Sequence, residues 1–245
     1  MIEPFAGPWW AAPLALLLVT AGVYLLAVVD RLAAAWVAGE GWRTAELAEP
    51  ARSALRMLLS EPRSTERPDR PLWRLAPVLL VTLVLAALVV MPLAPGAVAA
   101  DLSVGIVYFT AIFALTMVAV FAAGWGPNSK YPLVAGYRFI GQALAYEMPF
   151  AITIIAVALP AESLSLVDIV ATQERVLWNV VLQPVGFGIY LVSALAVAFW
   201  GPFDVVDSAD LAGGARAELA GAPALVWRFG RYGLLLAAAA FAVPL

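Results

Sequence analysis

The sequence predicts an all-α, polytopic transmembrane protein: a single integral membrane domain over residues 1–245, with about six membrane-spanning helices and one amphipathic helix on the cytoplasmic side. Hydrophobic residues make up 64% of the chain and charged residues 13%, and the mean hydropathy is +0.92. Soluble domains of this length carry many more charges. The apolar runs are about 20 residues long, as a helical crossing requires, and they lack the alternation of barrel strands.

The first crossing is predicted over residues 11–29. It lacks the basic start and the small-residue cleavage site of a secretory signal, so we expect it to be retained. A polar stretch from Asp30 to Arg74 follows, in which eight arginines stand against seven acidic residues. We interpret this stretch as the longest loop of the protein.

An amphipathic helix is predicted inside that loop, over residues 50–61. Pro50 suits the first turn of a helix, and the arginines at 52 and 56 fall outside the apolar face. The predicted apolar face consists of Ala51, Ala54, Leu55 and Leu58. Such a helix lies in the membrane interface or packs under the membrane domain, and the alternative is an ordinary solvated connector.

Five further crossings follow along the chain. They are predicted over residues 75–90, 105–123, 139–159, 180–200 and 222–243. The fourth contains Glu147 and Pro149, and the fifth contains Gln183 and Pro184.

The distribution of Lys and Arg predicts the orientation. Residues 30–74, the segment 124–138 and the region after the fifth crossing hold eight, two and three basic residues, whereas the other side holds Arg175 alone. The positive-inside rule places the basic side in the cytoplasm and both termini outside. We therefore expect a multi-pass protein of the cell inner (plasma) membrane, with cytoplasmic loops at about 30–74, 124–138 and 201–221.

The composition also limits the chemistry. The chain has no cysteine and no histidine, and so lacks the usual ligands of iron–sulfur clusters, haem and zinc as well as Ser-His and Cys-His catalytic pairs. We expect no metal site, no redox centre and no bound cofactor of the chain's own. Nothing in the sequence indicates nucleic-acid binding.

Glu147 is the strongest candidate functional residue, because a charged side chain at the centre of a membrane helix costs about 2.5 to 3.5 kcal/mol or more. Together with Arg138 and Lys130 it is a candidate for a proton relay. Arg138 lies nine residues before Glu147, which places the two side chains on opposite sides of an ideal helix, so we expect no direct ion pair between them. The alternatives are a structural carboxyl at Glu147 and ordinary topology signals at the two basic residues.

The loop at 201–221 is acidic where a cytoplasmic loop is normally basic. Its acids are interrupted by Arg216. The candidates are Asp204, Asp207, Asp210 and Glu218. They indicate a surface that collects protons or docks a partner, and the alternative is a soluble, negatively charged turn. We expect this loop and the one at 30–74 to meet.

Two motifs carry a family resemblance. The run GW-x-x-N-x-KY-x-L-x-x-x-x-R, followed by Q-x-x-x-YE-x-P, lies at 124–149, and PFD lies at 202–204 before the acidic stretch. Both resemble the membrane subunit designated H or 1 in respiratory complex I (NADH-quinone oxidoreductase), together with its relatives in energy-converting membrane-bound hydrogenases. The resemblance extends over about residues 75–236.

The resemblance implies a subunit that links the quinone-reducing arm to the proton-pumping arm. Lys130, Arg138 and Glu147 match the motif's charged residues, whereas Asp204, Asp210 and Glu218 match acids that face quinone or partners. Implied partners are an iron–sulfur arm and antiporter-like membrane subunits, with quinone at their interface. The sequence departs from the family in four respects. Arg231 replaces a Glu, and Phe199, Trp200 and Gly201 stand where the family has an Asn-Arg just before PFD. The first loop lacks the family's quinone-framing stretch, and family members continue past the last residue here.

Other functions remain open on the residues alone. They are a hydrogenase membrane subunit, a free-standing ion or proton transporter with broken helices, and a structural paralogue that docks without catalysing.

Overall fold

The computed structural model describes residues 11–39, 41, 44–61, 64–92, 98–175 and 177–245. Its regular elements are helices. The α-helices are α1 (Ala11–Val37), α2 (Glu49–Leu58), α3 (Arg70–Val89), α4 (Gly105–Trp125), α5 (Lys130–Ala156), α6 (Ala158–Ala161), α7 (Leu166–Arg175), α8 (Asn179–Leu182), α9 (Pro184–Val197) and α10 (Ala222–Phe241). Short 3-10 turns cover Thr44–Ala48, Ala209–Leu211 and Gly214–Arg216.

Five of the described helices are long and apolar enough to span a membrane: α1, α3, α4, α5 and α10. The prediction of an all-α, polytopic membrane protein is confirmed, and each of these helices overlaps one of the predicted crossings. α9 is apolar but only 14 residues long.

The predicted fifth crossing is broken at Gln183, where the backbone leaves helical geometry. Pro184 explains the break, because proline disfavours helical dihedrals in the residue before it and is well placed to begin a new helix. Two side-chain amides hold the break in place: Gln183 Nε2 donates to the Ala156 carbonyl at 3.0 Å, and Asn179 Nδ2 donates to the Pro244 carbonyl at 3.0 Å. α9 therefore starts beside the C-terminal ends of α5 and α10 and runs back along α5.

Two helix boundaries differ from the predictions. α1 continues past Asp30 to Val37, because the following LAAAWV segment favours a helix. α5 begins at Lys130, so most of the predicted loop at 124–138 is helical and Arg138 lies well inside a membrane-spanning helix.

The predicted amphipathic helix exists as α2, but a different face points inward. Pro50 is buried, and Ser53, Ala54 and Met57 are partly covered. Leu55 and Leu58, which were predicted on the packing face, are 59% and 49% exposed. The apolar residues of α2 alone could not show which face of this helix packs against the protein. The inward face includes Ser53, which accepts a hydrogen bond from Arg228 of α10.

Aromatic rings fill the centre of the bundle. Phe109 of α4 stacks on Phe241 of α10 with ring centroids 4.3 Å apart, and Phe150 of α5 stacks on Tyr190 of α9 at 5.6 Å. These four helices enclose the core together with α3, whereas α1 lies at its edge.

Candidate functional site

A polar cavity of about 970 Å³ lies where α1, α2, α10 and the loop at 201–221 meet. Charged side chains come from α1, from α10, from the loop at 201–221 and from the segment that follows α2. Its charged lining residues are Asp30, Glu61, Asp204, Asp207, Arg216, Arg228 and Arg231. Trp200, Trp227 and Tyr232 contribute aromatic surface. The volume lies within the range of ligand pockets in proteins.

The loop at 201–221 is folded rather than a solvated turn. Val206 and Ala215 are fully buried, and the Ala215 N–H donates to the Val206 carbonyl at 2.8 Å. Gly214 makes this return possible, since it has a positive φ and a Cβ there would lie 1.9 Å from the Val206 oxygen. The loop therefore holds its acidic residues in fixed places.

Asp207 is 5% exposed, and its Oδ2 accepts a hydrogen bond from Arg231 Nη1 at 3.2 Å. The guanidinium of Arg231 also lies 4.4 Å from the centre of the Trp200 ring. Among the described residues, neither Asp207 Oδ1 nor Arg231 Nε has a hydrogen-bond partner. Burial raises the pKa of Asp207, and the positive charges of Arg231 and Arg216 oppose that rise only in part.

One face of α5 is attached to the acidic loop. Arg138 Nη1 lies 2.6 Å from Asp210 Oδ2, and Gln142 Nε2 donates to the carbonyls of Ala196 at 2.6 Å and Phe203 at 3.0 Å. Tyr146 meets the Phe203 ring edge-on at 5.2 Å. These three α5 residues are spaced by four, which places them on one helical face. Hydrogen bonds from Ser208 and Arg138 hold the pKa of Asp210 below its usual value.

Glu147 follows directly after this face. It is half-buried and lines a small cavity of about 10 Å³ between α4, α5 and α9, which is room for about one water molecule. Thr110 and Thr116 of α4 line the same cavity. Within the part of the chain that the structure describes, the Glu147 carboxyl has no ion-pair or hydrogen-bond partner.

The predicted relay residues are not clustered. Lys130 is exposed at the start of α5, with its ammonium 5.1 Å from the centre of the Tyr131 ring. It lies about 12 Å from Arg138 along the helix axis, and Arg138 lies about 13 Å from Glu147. Arg138 pairs with Asp210 and not with Glu147, in agreement with the predicted lack of direct pairing.

The predicted partner-facing acids occupy three environments. Asp204 and Asp207 line the polar cavity, and Asp210 lies outside it against α5. Glu218 accepts a hydrogen bond from Ser129 Oγ at 2.9 Å, at the N-terminus of α5, where a negative charge is favourable.

The two predicted cytoplasmic loops meet, as expected. The Gly221 N–H donates to Ser60 Oγ at 3.0 Å, and Arg228 Nη1 donates to Ser53 Oγ at 2.5 Å. Both contacts join the region after α1 to the region around the start of α10.

Sequence reasoning missed Arg228 and Tyr232 as site residues. Tyr232 Oη donates to Asp30 Oδ2 at 2.8 Å, so α10 is linked to α1 as well as to α2. The signal was present, because Arg228 and Arg231 are charges within a membrane-spanning helix and the rule applied to Glu147 applies to them too.

Comparisons with known proteins support the resemblance. The family described as NADH dehydrogenase matches residues 11–245. Proteins named as the H subunit of NADH-quinone oxidoreductase, from Bacillus mycoides (strain KBAB4) and Bacillus thuringiensis subsp. konkukian (strain 97-27), are each 36% identical to the chain over 176 residues. The one from Bacillus cereus (strain B4264) is 35% identical over the same length. Each match covers 71% of this chain and 53% of the relative, so the chain spans about half the length of the curated relatives it matches.

Proposed function

The chain belongs to the NADH dehydrogenase family, and from that membership we propose that it is a membrane-embedded subunit of a complex I-like, proton-translocating oxidoreductase. In this proposal it links a quinone-reducing arm to a proton-pumping arm. The observation that supports it best is the polar cavity. The loop at 201–221 lines this cavity and contacts α5, the helix that carries Glu147, through Asp210 and the Phe203 carbonyl.

The cavity suits the head of a quinone. Its aromatic walls, Trp200, Trp227 and Tyr232, can cover a planar ring, and the guanidinium groups of Arg216 and Arg231 can donate to carbonyl oxygens. When bound, a quinone takes up electrons from a partner chain and protons from its surroundings. The first loop lacks the family's quinone-framing stretch, and here α2 and the loop at 201–221 frame the cavity in its place.

Asp207 is the residue best suited to exchange protons at this cavity. Burial raises its pKa and the positive charges of Arg231 and Arg216 oppose that rise, so the charges around the cavity influence its protonation. Arg231 supplies a counter-charge at a position where the resemblance implies a Glu. Asp204 lines the same cavity wall.

The connection to Glu147 runs through α5. A movement of the loop at 201–221 is transmitted to α5 by two contacts. These are the ion pair of Asp210 with Arg138 and the hydrogen bond from Gln142 to the Phe203 carbonyl. Glu147 lies about one and a half turns beyond Gln142, beside a cavity large enough for about one water. We propose that events at the polar cavity change the hydration and the protonation of Glu147 by this route.

The proposed partners are an iron–sulfur arm and antiporter-like membrane subunits. The loops at 30–74 and 201–221 form the proposed docking face for the soluble arm, since they meet around the mouth of the cavity. The proposed location is the plasma membrane, with this face in the cytoplasm and both termini outside, because thirteen of the fourteen basic residues lie on that side.

Purification in mild detergent tests the proposal. The tagged chain should co-purify with iron–sulfur and antiporter-like proteins, and the isolated assembly should reduce a soluble quinone. Recovery of the chain alone, with ion transport by the pure protein in vesicles, would establish the transporter alternative instead. Iron–sulfur partners that evolve hydrogen without reducing quinone would point to the hydrogenase alternative.

A further inference from the structure

A group of basic side chains lies at the end of the bundle where α3 and α5 begin. This basic cluster consists of Arg67, Arg70, Arg74 and Lys130. All four are exposed, and within the described part of the chain none of them has an ion-pair or hydrogen-bond partner. Two acids accompany them: Glu66 is exposed, and Asp69 accepts a hydrogen bond from the Leu72 N–H at 3.3 Å and so caps α3. The segment therefore has an excess of positive charge.

The turn between α4 and α5 brings the members of the basic cluster together. The Asp69 N–H donates to the Gly126 carbonyl at 2.8 Å. Gly126 packs so closely on the start of α3 that a Cβ there would lie 2.7 Å from the Trp73 Cα. Lys130 follows this turn as the first residue of α5. The arginines of α3 and the lysine of α5 therefore lie on either side of one turn.

Exposed apolar faces of α3 and α4 lead up to the basic cluster. The two helices pack side by side, and both are long and apolar enough to span a membrane. The exposed apolar residues are Leu75 and Val78 of α3, and Val107, Leu115 and Val118 of α4. Their spacing places those of each helix on one face. Trp125 and Tyr131 are exposed at the same end as the basic cluster, as is typical of aromatic residues at a membrane interface.

We propose that the basic cluster binds the headgroup of an anionic phospholipid, whose acyl chains lie along the exposed faces of α3 and α4. The phosphate accepts hydrogen bonds from guanidinium and ammonium groups. An anionic lipid is preferred to a zwitterionic one, because a zwitterionic headgroup carries a cation that the cluster repels. The site shares no residue with the polar cavity and does not depend on the proposed function.

Photo-crosslinking tests the lipid site. The tagged chain is purified in mild detergent with the proteins that accompany it and is placed in phosphatidylcholine nanodiscs. These contain a small amount of a lipid with a diazirine in its acyl chain, either phosphatidylglycerol or phosphatidylcholine. After illumination, mass spectrometry compares crosslinks to α3 and α4 with those to α9, where Val185 and Val192 are exposed to lipid in the same sample. We expect phosphatidylglycerol to be preferred at α3 and α4 by about tenfold, since each basic residue near the surface contributes about fivefold.

A matched pair of double variants separates a site from general surface charge. Arg70→Gln with Arg74→Gln should remove most of the preference for phosphatidylglycerol. Arg52→Gln with Arg56→Gln removes two exposed arginines of α2, with the same change in net charge, and should leave the preference intact. Lys130→Gln tests the cluster from the other side of the turn and should lower the preference about fivefold.

Three outcomes would overturn the lipid site. They are equal crosslinking of the two lipids at α3 and α4, an equal loss of preference in both double variants, and a lack of lipid crosslinks to these faces when the accompanying proteins are present. The last result would show that a protein partner covers them. Crosslinking requires no turnover, so its result is independent of whether the purified assembly reduces quinone.

Discussion

At the scale of single residues, the charges inside the membrane helices differ in how they are compensated. Arg231 pairs with Asp207, and Arg228 donates to Ser53. The Glu147 carboxyl has no such partner among the described residues, although it is half-buried. A charged side chain inside a membrane helix is costly unless it has a partner or water, and the small cavity beside Glu147 has room for about one water molecule.

We therefore predict that Glu147→Gln leaves insertion and assembly intact but abolishes proton translocation. The change removes the titratable group at nearly constant shape. Proton uptake by sealed vesicles containing the assembled complex measures the effect. Glu174→Gln, at an exposed carboxyl of α7, is the matched control and should pump normally. Full pumping by the Glu147→Gln complex would show that the residue is structural.

At the scale of elements, the loop at 201–221 organises the site as much as any helix does. It supplies Asp204 and Asp207 to the cavity, Asp210 to Arg138 and the Phe203 carbonyl to Gln142. All of these contacts depend on the tight return of the chain at Gly214.

Gly214→Ala should open this loop. The added Cβ would lie 1.9 Å from the Val206 oxygen, at a φ of +54°, so the backbone must shift. Strain of this kind costs about 1 to 3 kcal/mol, and we expect trypsin to cleave at the exposed Arg216 about tenfold faster or more. Gly188→Ala in α9, where a Cβ meets nothing within 4 Å, should leave the cleavage rate unchanged. Equal cleavage of the two variants would contradict this account of the loop.

The spanning helices could be predicted from the sequence because each needs only its own apolar run. Glu147 could be singled out because it is a charged residue within such an apolar run. Pro184 within the fifth crossing was a signal for the break at Gln183. The cavity could not be predicted, since it depends on which face α2 turns toward α10 and on the return at Gly214. Arg138 was assigned to a loop because the apolar segment begins after it, whereas its contact with Asp210 compensates its charge within α5.

At the scale of the whole molecule, the polar features gather at one end of the bundle. Ser129 at the start of α5 donates to Glu218, and the region after α1 bonds to Gly221. α9 therefore returns the chain to the end of the bundle at which α5 begins, and we expect it to serve as the sixth crossing despite its length.

This topology predicts the outcome of labelling from outside intact vesicles of known orientation. Ser64→Cys and Ala209→Cys, both at exposed positions, should react from the same side of the membrane. Glu174→Cys, on α7, should react from the opposite side. Reaction of Ser64→Cys and Ala209→Cys from opposite sides would rule out a crossing at α9.

The break before α9 also affects the surrounding lipid. The uninterrupted helix has 14 residues and rises about 21 Å, whereas the hydrocarbon layer of a typical bilayer is about 30 Å thick. Because Gln183 and Asn179 are held by carbonyls within the protein, the break cannot be relieved by straightening the helix without losing those bonds. Where lipid borders α9, shorter acyl chains match it better, so this flank of the protein favours a thin bilayer and becomes more costly to embed as lipid chains lengthen.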